Sequence, residues 1–151
     1  GLSPSRLELE ITEGVLIDNF TRAVAILRRL KSLGVRIAMD DFGTGYSSLS
    51  YLQSFPFDKI KIDQAFVVNL GHSHQATTII RAVIALGRGL NLPVVAEGVE
   101  TDEQLRFLAA EGCSEFQGYL VGRPKPIEEY AHAVGRLQAD SPRSKPLAAA
   151  S

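Results

Sequence analysis

A single cysteine, Cys113, stands in a chain of 151 residues. It permits no internal disulfide, so nothing points to an oxidising compartment and a cytoplasmic setting is expected. Long apolar runs are also lacking. The longest, around Val83–Leu86 and Leu92–Ala96, fall far below the roughly 20 residues that a bilayer demands, so no membrane segment is expected. Charge of one sign is lacking as well: 16 Lys+Arg oppose 17 Asp+Glu for a net charge of −1, which is no footprint for a polymeric nucleic acid. No secretory leader is recognisable, and the turn-like GLSPS opening is expected of a piece that starts inside a longer protein. What is present is apolar: 45% of the residues are hydrophobic, too many for a disordered chain and enough for one globular domain.

Short β-like runs alternate with longer helix-like ones. Leu7–Ile11 alternates apolar and acidic residues, as a strand with two different faces does. Phe20–Leu33 places Ala23, Ile26, Leu27, Leu30 and Leu33 at helical spacing, and Gly34 stands where a helix stops. Val35–Met39 reads as a second strand, Ser47–Gln53 as a short helix ending before Pro56, and Lys59–Ile62 as a third strand. Gln75–Leu90 is an amphipathic helix with Ile79, Ile80, Val83, Ile84 and Leu86 inward, and Pro93–Ala96 is a fourth strand. Thr101 with Gln104 three residues on predicts a capping box for a helix to about Glu111, ended by Gly112. Glu115–Gln117 is a weak fifth strand and Pro126–Gln138 a last helix, with proline near its first turn. The small, polar stretch from Asp140 onward is expected to be a disordered tail.

Such alternation means parallel strands with crossover helices, in either an open doubly wound sheet or a closed barrel. The polar residues favour the barrel. Asp40, Asp41, Asp63, Glu97 and Gln117 fall at the C-terminal ends of expected strands, and Glu10 lies near the end of its own. In a (β/α)8 barrel that rim is where chemistry is built. A whole barrel takes about 250 residues, at roughly 30 per unit. This chain therefore holds about five units of an incomplete barrel.

Period-two geometry sorts the faces. Glu8, Glu10 and Thr12 share one side of the first strand, opposite Leu7, Leu9 and Ile11; Lys59, Lys61 and Asp63 share a side opposite Ile60 and Ile62. With helices covering the apolar faces, the polar side becomes the interior. Carboxylates held there need cations, because an unpaired buried charge costs several kcal/mol. Glu10, Asp40, Asp41 and Glu97 converging at one mouth would form an all-oxygen site preferring Mg²⁺ or Mn²⁺. Lys61 among them would neutralise developing negative charge or hold a nucleophilic water, as in metal-assisted phosphoryl hydrolysis. The competing reading makes each acid a helix cap or a solvated loop residue and Lys61 a salt-bridge partner. Polar groups at the ends of five successive strands are less easily explained that way.

Other signals are weaker. Gly43-Thr44-Gly45 with Asp63 about 20 residues on imitates a dinucleotide fingerprint. The third glycine is missing and Asp40–Asp41 would repel a pyrophosphate, so a flexible active-site loop is the better reading. His72 and His74 read as a surface turn, and Cys113 as a small buried packing residue.

Taken together, LELEITE, DDFGTGYSSLSYLQSFPFDKIKIDQAFV, VVAEGVET and GCSEFQGYLVGRP, in this order and spacing, resemble the EAL-domain cyclic di-GMP phosphodiesterases from about Leu7 to Pro126. The resemblance implies a (β/α)8 barrel that opens one phosphodiester of cyclic di-GMP to give linear pGpG with Mg²⁺ or Mn²⁺. It implies that Glu10 is a metal ligand, that Glu13 tethers the DDFGTG loop, and that Asp40 and Asp41 bind two metals. By the same resemblance Lys61 stands beside the attacking water and Glu97 joins the metal–water network. Gln117 lies near the site, Glu100 matches the second glutamate of AEGVE, and Pro124 lies near a guanine.

The departure is upstream. No Glu-Ala-Leu precedes Leu7, and the asparagine ligand of the following region is absent too, so two metal ligands of the family pattern are missing. Residues 1–139 are accordingly expected to be the C-terminal portion of an EAL domain and 140–151 a tail. Open sheet edges invite pairing, so the chain is expected to pair or swap with a second copy, as a homodimer, or to be part of a larger bacterial phosphodiesterase with upstream GGDEF or sensory domains. By itself it should be inactive or weakly active. The alternatives are a non-catalytic cyclic di-GMP-binding or dimerisation module, and a Schiff-base aldolase using Lys61, which surrounding carboxylates would keep protonated.

Overall fold

The computed structural model describes residues 1–12, 14, 20–43, 52, 54–55 and 57–130. A short 3-10 turn, Pro4–Arg6, leads into β1 (Glu8–Thr12). There follow α1 (Phe20–Ser32), β2 (Arg36–Phe42), β3 (Lys59–Ile62), α2 (Gln64–Val68), α3 (His74–Leu90), β4 (Val94–Ala96), α4 (Asp102–Glu111) and β5 (Glu115–Phe116). Apart from Leu52, which is buried in the core, the expected helix over Ser47–Gln53 lies outside the described residues, as do most of the one over Pro126–Gln138 and the tail from Asp140. The described start of that last segment is a 3-10 turn, Ile127–Tyr130.

All strands are parallel and lie side by side in the order β1-β2-β3-β4-β5. This order settles the choice between barrel and doubly wound sheet. Right-handed crossovers that always step in one direction put every helix on the same face, whereas a doubly wound sheet must reverse direction once. The core bears this out: Val24 and Leu27 of α1, Ile80, Val83 and Ile84 of α3 and Leu108 of α4 pack with Ile37, Met39, Ile60, Ile62, Val94 and Ala96 of the sheet. Cys113 is buried in the same cluster, as its size suggests.

The opposite face is concave. Lys59 on β3 lies 3.4 Å from Glu8 on β1 and 2.9 Å from Glu115 on β5. In a flat sheet the two outer strands would stand about 19 Å apart, too far for both glutamates to meet one ammonium, so the sheet must curl as an arc of a barrel. Among the described residues, β1 and β5 have no strand on their outer sides.

Local expectations hold with instructive exceptions. Thr101 accepts from the Gln104 amide at 3.2 Å while the Gln104 side chain accepts from the Thr101 amide at 3.0 Å, completing the capping box of α4. Such a cap is worth about 1 kcal/mol. On α1 Val24 and Leu27 are buried and Ala23 and Leu30 pack partly buried against the same core, while Ile26 on the helix and Leu33 just beyond it, both at the helical spacing read from the sequence, are 50% and 65% exposed. A helix against a curved sheet buries a narrower stripe than its apolar periodicity offers. The short α2 was not expected from the sequence. Its five residues are too few for a periodic signal, and it is marked only by Asp63, whose carboxylate accepts from the Ala65 amide at 2.6 Å as the N-cap. Ser73 caps α3, making the His72–His74 stretch a turn and helix start.

Candidate metal centre and active site

Register brings the polar side chains together. In parallel pairing Thr12 stands beside Asp40, Ala38 beside Lys59, and Lys61 beside Val95, itself beside Glu115. Residues on these rows share a face, so Glu10, Asp40, Lys61 and Glu97 all look into the concavity near the C-terminal ends of their strands. Lys61 lies at the centre, only 4% exposed. Its Nζ is 2.7 Å from Glu10 Oε2, 3.1 Å from Asp40 Oδ1 and 2.5 Å from Glu97 Oε1. Burial by itself would lower the pKa of this amine, but hydrogen bonds to Glu10, Glu97 and Asp40 and the charge of Glu97 outweigh it and hold the lysine well above its ordinary range. It therefore stays an ammonium at neutral pH, the wrong state for a Schiff-base nucleophile.

The strand β2 differs from expectation where it matters. It continues past Met39 to Phe42, with a register shift between Met39 and Phe42, and Asp41 adopts a left-handed conformation at φ 53°. Successive strand residues normally point to opposite faces. The irregularity lets adjacent aspartates serve one site, and aspartate is among the few residues that tolerate this backbone. Asp40, Asp41 and Glu97 each offer an oxygen within 4.8 Å of the others. Asp41 is held above the usual carboxylate range, first by burial, then by a hydrogen bond with Asp63 and by the charges of Asp40, Asp63 and Glu97. Asp63 is thus a helix cap and a partner of Asp41 rather than a member of the carboxylate group.

These groups fit a hard cation. Asp40 Oδ1 is buried and, among the described residues, has for a partner only the Lys61 ammonium at 3.1 Å, which it shares with Glu10 and Glu97. An oxygen-only donor set with more carboxylates than ammonium groups is the chemistry that Mg²⁺ or Mn²⁺ satisfies.

The rim is closed by backbone stitching. The Gln117 amide donates to the Ala96 carbonyl at 2.9 Å, the Val99 amide to the Gln117 carbonyl at 3.0 Å, and the Leu120 amide to the Val99 carbonyl at 3.0 Å. Gly118 is required there: a Cβ would lie 2.2 Å from the Val99 carbonyl oxygen. The Gln117 side chain is exposed and borders a cleft of about 200 Å³ lined also by Gln64, Glu97, Gly98, Glu100 and Tyr119. Two larger hollows, of about 580 and 460 Å³, lie elsewhere, between the end of α3 and β5 and between α4 and the turn before α3. Neither is lined by Lys61 or by any of the carboxylates paired with it.

Of the residues singled out from the sequence, Glu10, Asp40, Asp41, Lys61 and Glu97 are brought together, and Gln117 borders the adjoining cleft. Pro124 is exposed in the segment beyond β5, apart from the contacts that gather the others. Glu13 lies outside the described residues. Sequence reasoning put Lys59 on the right face but missed its link to Glu8 and Glu115, and it missed Gln64 on the cleft wall. The only available signal was the alternation of lysine and apolar residues in β3.

The EAL domain family model matches residues 1–124. An uncharacterised signalling protein of Caulobacter vibrioides is 62% identical over 147 residues, 96% of this chain and 18% of that protein. The bifunctional diguanylate cyclase/cyclic di-GMP phosphodiesterase MucR of Pseudomonas aeruginosa is 47% identical over 133 residues, 88% of this chain and 19% of that protein. The chain thus spans less than a fifth of the length of these relatives. Among solved structures, the MucR phosphodiesterase in complex with c-di-GMP superposes with a TM-score of 0.82 at 48% identity, covering 85% of this chain and 52% of that one. The manganese/cyclic di-GMP complex of Klebsiella pneumoniae BlrP1 gives 0.76 at 40% identity, covering 82% and 32%.

Proposed function

The chain belongs to the EAL-domain family, and from that premise we propose that it supplies the rim-bearing C-terminal part of a metal-dependent phosphodiesterase that hydrolyses cyclic di-GMP to pGpG. The observation that carries this reading is the meeting of Asp40, Asp41 and Glu97 within 4.8 Å of one another, with the Lys61 ammonium on Asp40 and Glu97. Asp40, Asp41 and Glu97 would hold Mg²⁺ or Mn²⁺, with Glu10 beside them. Such ions, when bound, lower the pKa of water and offset charge on a phosphoryl group.

The remaining work falls to the chain's own groups. Lys61, fixed by three carboxylates and buried, offers a permanent positive charge where an attacking water and the phosphoryl oxygens would lie, and it needs no reorganisation during reaction. Glu97 accepts from Lys61 and also borders the cleft, so it lies between the charged centre and the space a substrate would fill. Gln117 supplies an exposed amide at the same cleft. Glu13 and Pro124 keep the roles that the family pattern implies, as tether of the loop after β2 and as neighbour of a guanine. The open edges of β1 and β5 are where the other strands of the barrel attach, or where a second copy pairs. Measured by itself, the chain turns cyclic di-GMP over slowly or not at all.

The test is a chimaera in which this chain replaces the matching C-terminal portion of the MucR phosphodiesterase. With Mn²⁺ or Mg²⁺ it should form pGpG, and chelation should stop it. A folded chimaera that binds cyclic di-GMP and Mn²⁺ without hydrolysis would instead favour a non-catalytic binding module.

A further inference from the structure

The loop that follows β4 carries Glu97, and it is held from two sides. On the β5 side it is stitched through Val99 to Gln117 and Leu120. On the other side it rests against α2, the helix that leaves β3 directly after Lys61 and Asp63. Gly98, at φ 68°, sits so close to that helix that a Cβ would lie 2.6 Å from Gln64 Cβ. One side chain completes this second contact. Gln104, on the first turn of α4, accepts from the Glu100 amide at 2.8 Å and from the Thr101 amide at 3.0 Å, and it donates through Nε2 to the Val67 carbonyl of α2 at 3.1 Å. Val67 is fully buried, so the anchor is fixed.

We propose that Gln104 is a positioning residue of the metal centre: its amide ties the segments that leave β3 and β4 to each other and thereby sets Glu97 against Lys61, Asp40 and Asp41. The capping box alone does not need this residue to be glutamine. Glutamate at the same position accepts the same two backbone hydrogen bonds. Only an amide can also donate to the Val67 carbonyl, and that bond does nothing for α4; it joins α4 to α2. The inference rests on the reading of Asp40, Asp41 and Glu97 as metal ligands, and it adds a residue that touches none of them. Groups that orient metal ligands from behind typically matter to metal affinity by about 10–100-fold.

The experiment compares the chimaera described above, which supplies the missing part of the barrel, with its Gln104→Glu and Gln104→Ala variants by Mn²⁺ titration, following free Mn²⁺ by electron paramagnetic resonance, with thermal unfolding in the absence of metal alongside. Gln104→Glu keeps the cap and should unfold within a few degrees of the parent, yet bind Mn²⁺ about tenfold more weakly. Its added negative charge would by itself tighten Mn²⁺ binding, so weaker binding reports the lost tie. Amide exchange at Gly98–Glu100 should accelerate in the same variant. Gln104→Ala should lose both cap and tie, lowering the unfolding temperature and the affinity together. Unchanged or tighter Mn²⁺ binding by Gln104→Glu, with unchanged exchange at Gly98–Glu100, overturns the positioning role while leaving the metal centre intact. A parent chimaera that binds no Mn²⁺ overturns the metal reading itself, and the inference with it.

Discussion

Lys59 and Lys61 stand two residues apart on β3 and look into the same concavity, yet they live in different electrostatic settings. Around Lys59 the charges close on themselves: Glu8 and Glu115 are matched by Lys59 and by Arg36, whose Nε lies 3.6 Å from Glu8. Around Lys61 they do not, since one ammonium serves Glu10, Asp40 and Glu97, with Asp41 adjoining. The lower layer behaves as a strut that holds the outer strands of the arc together. The upper layer has carboxylates to spare, three of them sharing one ammonium. The difference between scaffold and site is therefore one of charge balance, not of residue type or burial.

The largest test of this contrast is Lys61→Met in the chimaera. Turnover should fall about 10²–10³-fold, the usual cost of losing a preorganised charge beside the reacting group. Mn²⁺ binding should survive, because the carboxylates remain. Unfolding without metal should be easier by about 3–5 kcal/mol, as when one member of a buried ion pair is removed, and Mn²⁺ should restore much of the loss. Retained turnover, read as pGpG released per enzyme, would erase the distinction between the layers.

A second test is Asp41→Asn, which preserves tolerance of the left-handed backbone. A carboxyl group whose folded pKa is raised, as that of Asp41 is above its ordinary 3.8, favours the folded state below that ordinary value and loses this contribution as pH rises through the folded value. The metal-free parent should therefore lose stability over that acidic window, and the variant should show a flatter profile and be the more stable of the two at neutral pH. Mn²⁺ affinity should drop by more than the roughly 10–100-fold that indirect partners cost. Equal slopes in urea unfolding across the acidic range would contradict the crowding of carboxyl groups.

Lys59→Met should have the smallest effect, about 1–2 kcal/mol of stability, with Mn²⁺ affinity unchanged within about twofold. Burial tends to lower the Lys59 pKa, but hydrogen bonds to Glu115 and Glu8 and their charges raise it above the ordinary 10.5. Its contribution is thus complete below that value and fades as pH climbs through the folded one, so the gap between parent and variant should narrow in alkali. A marked loss of Mn²⁺ affinity would mean that the strut reaches into the site.

Much of this arrangement was legible beforehand. The alternation in Leu7–Ile11 and Lys59–Ile62, the capping box at Thr101 and the polar groups ending successive strands are local patterns, and local patterns follow from backbone periodicity. The bulge at Asp41 was not legible, because a bulge is the strand's answer to its neighbour's register. Nor was α2, too short for a period, nor the tie from Gln104 to Val67, which spans 37 positions.

The sequence by itself determined which faces are apolar, where helices begin, and that acids and one lysine sit at strand ends, since these depend on spacing along a single segment. Only the tertiary structure decided that the strands run in unbroken order and curl, so that glutamates on the outer strands meet a lysine on the central one and three carboxyl groups share a few ångströms. Those distances depend on how separate segments stack through side-chain packing and register, which no short window of residues contains.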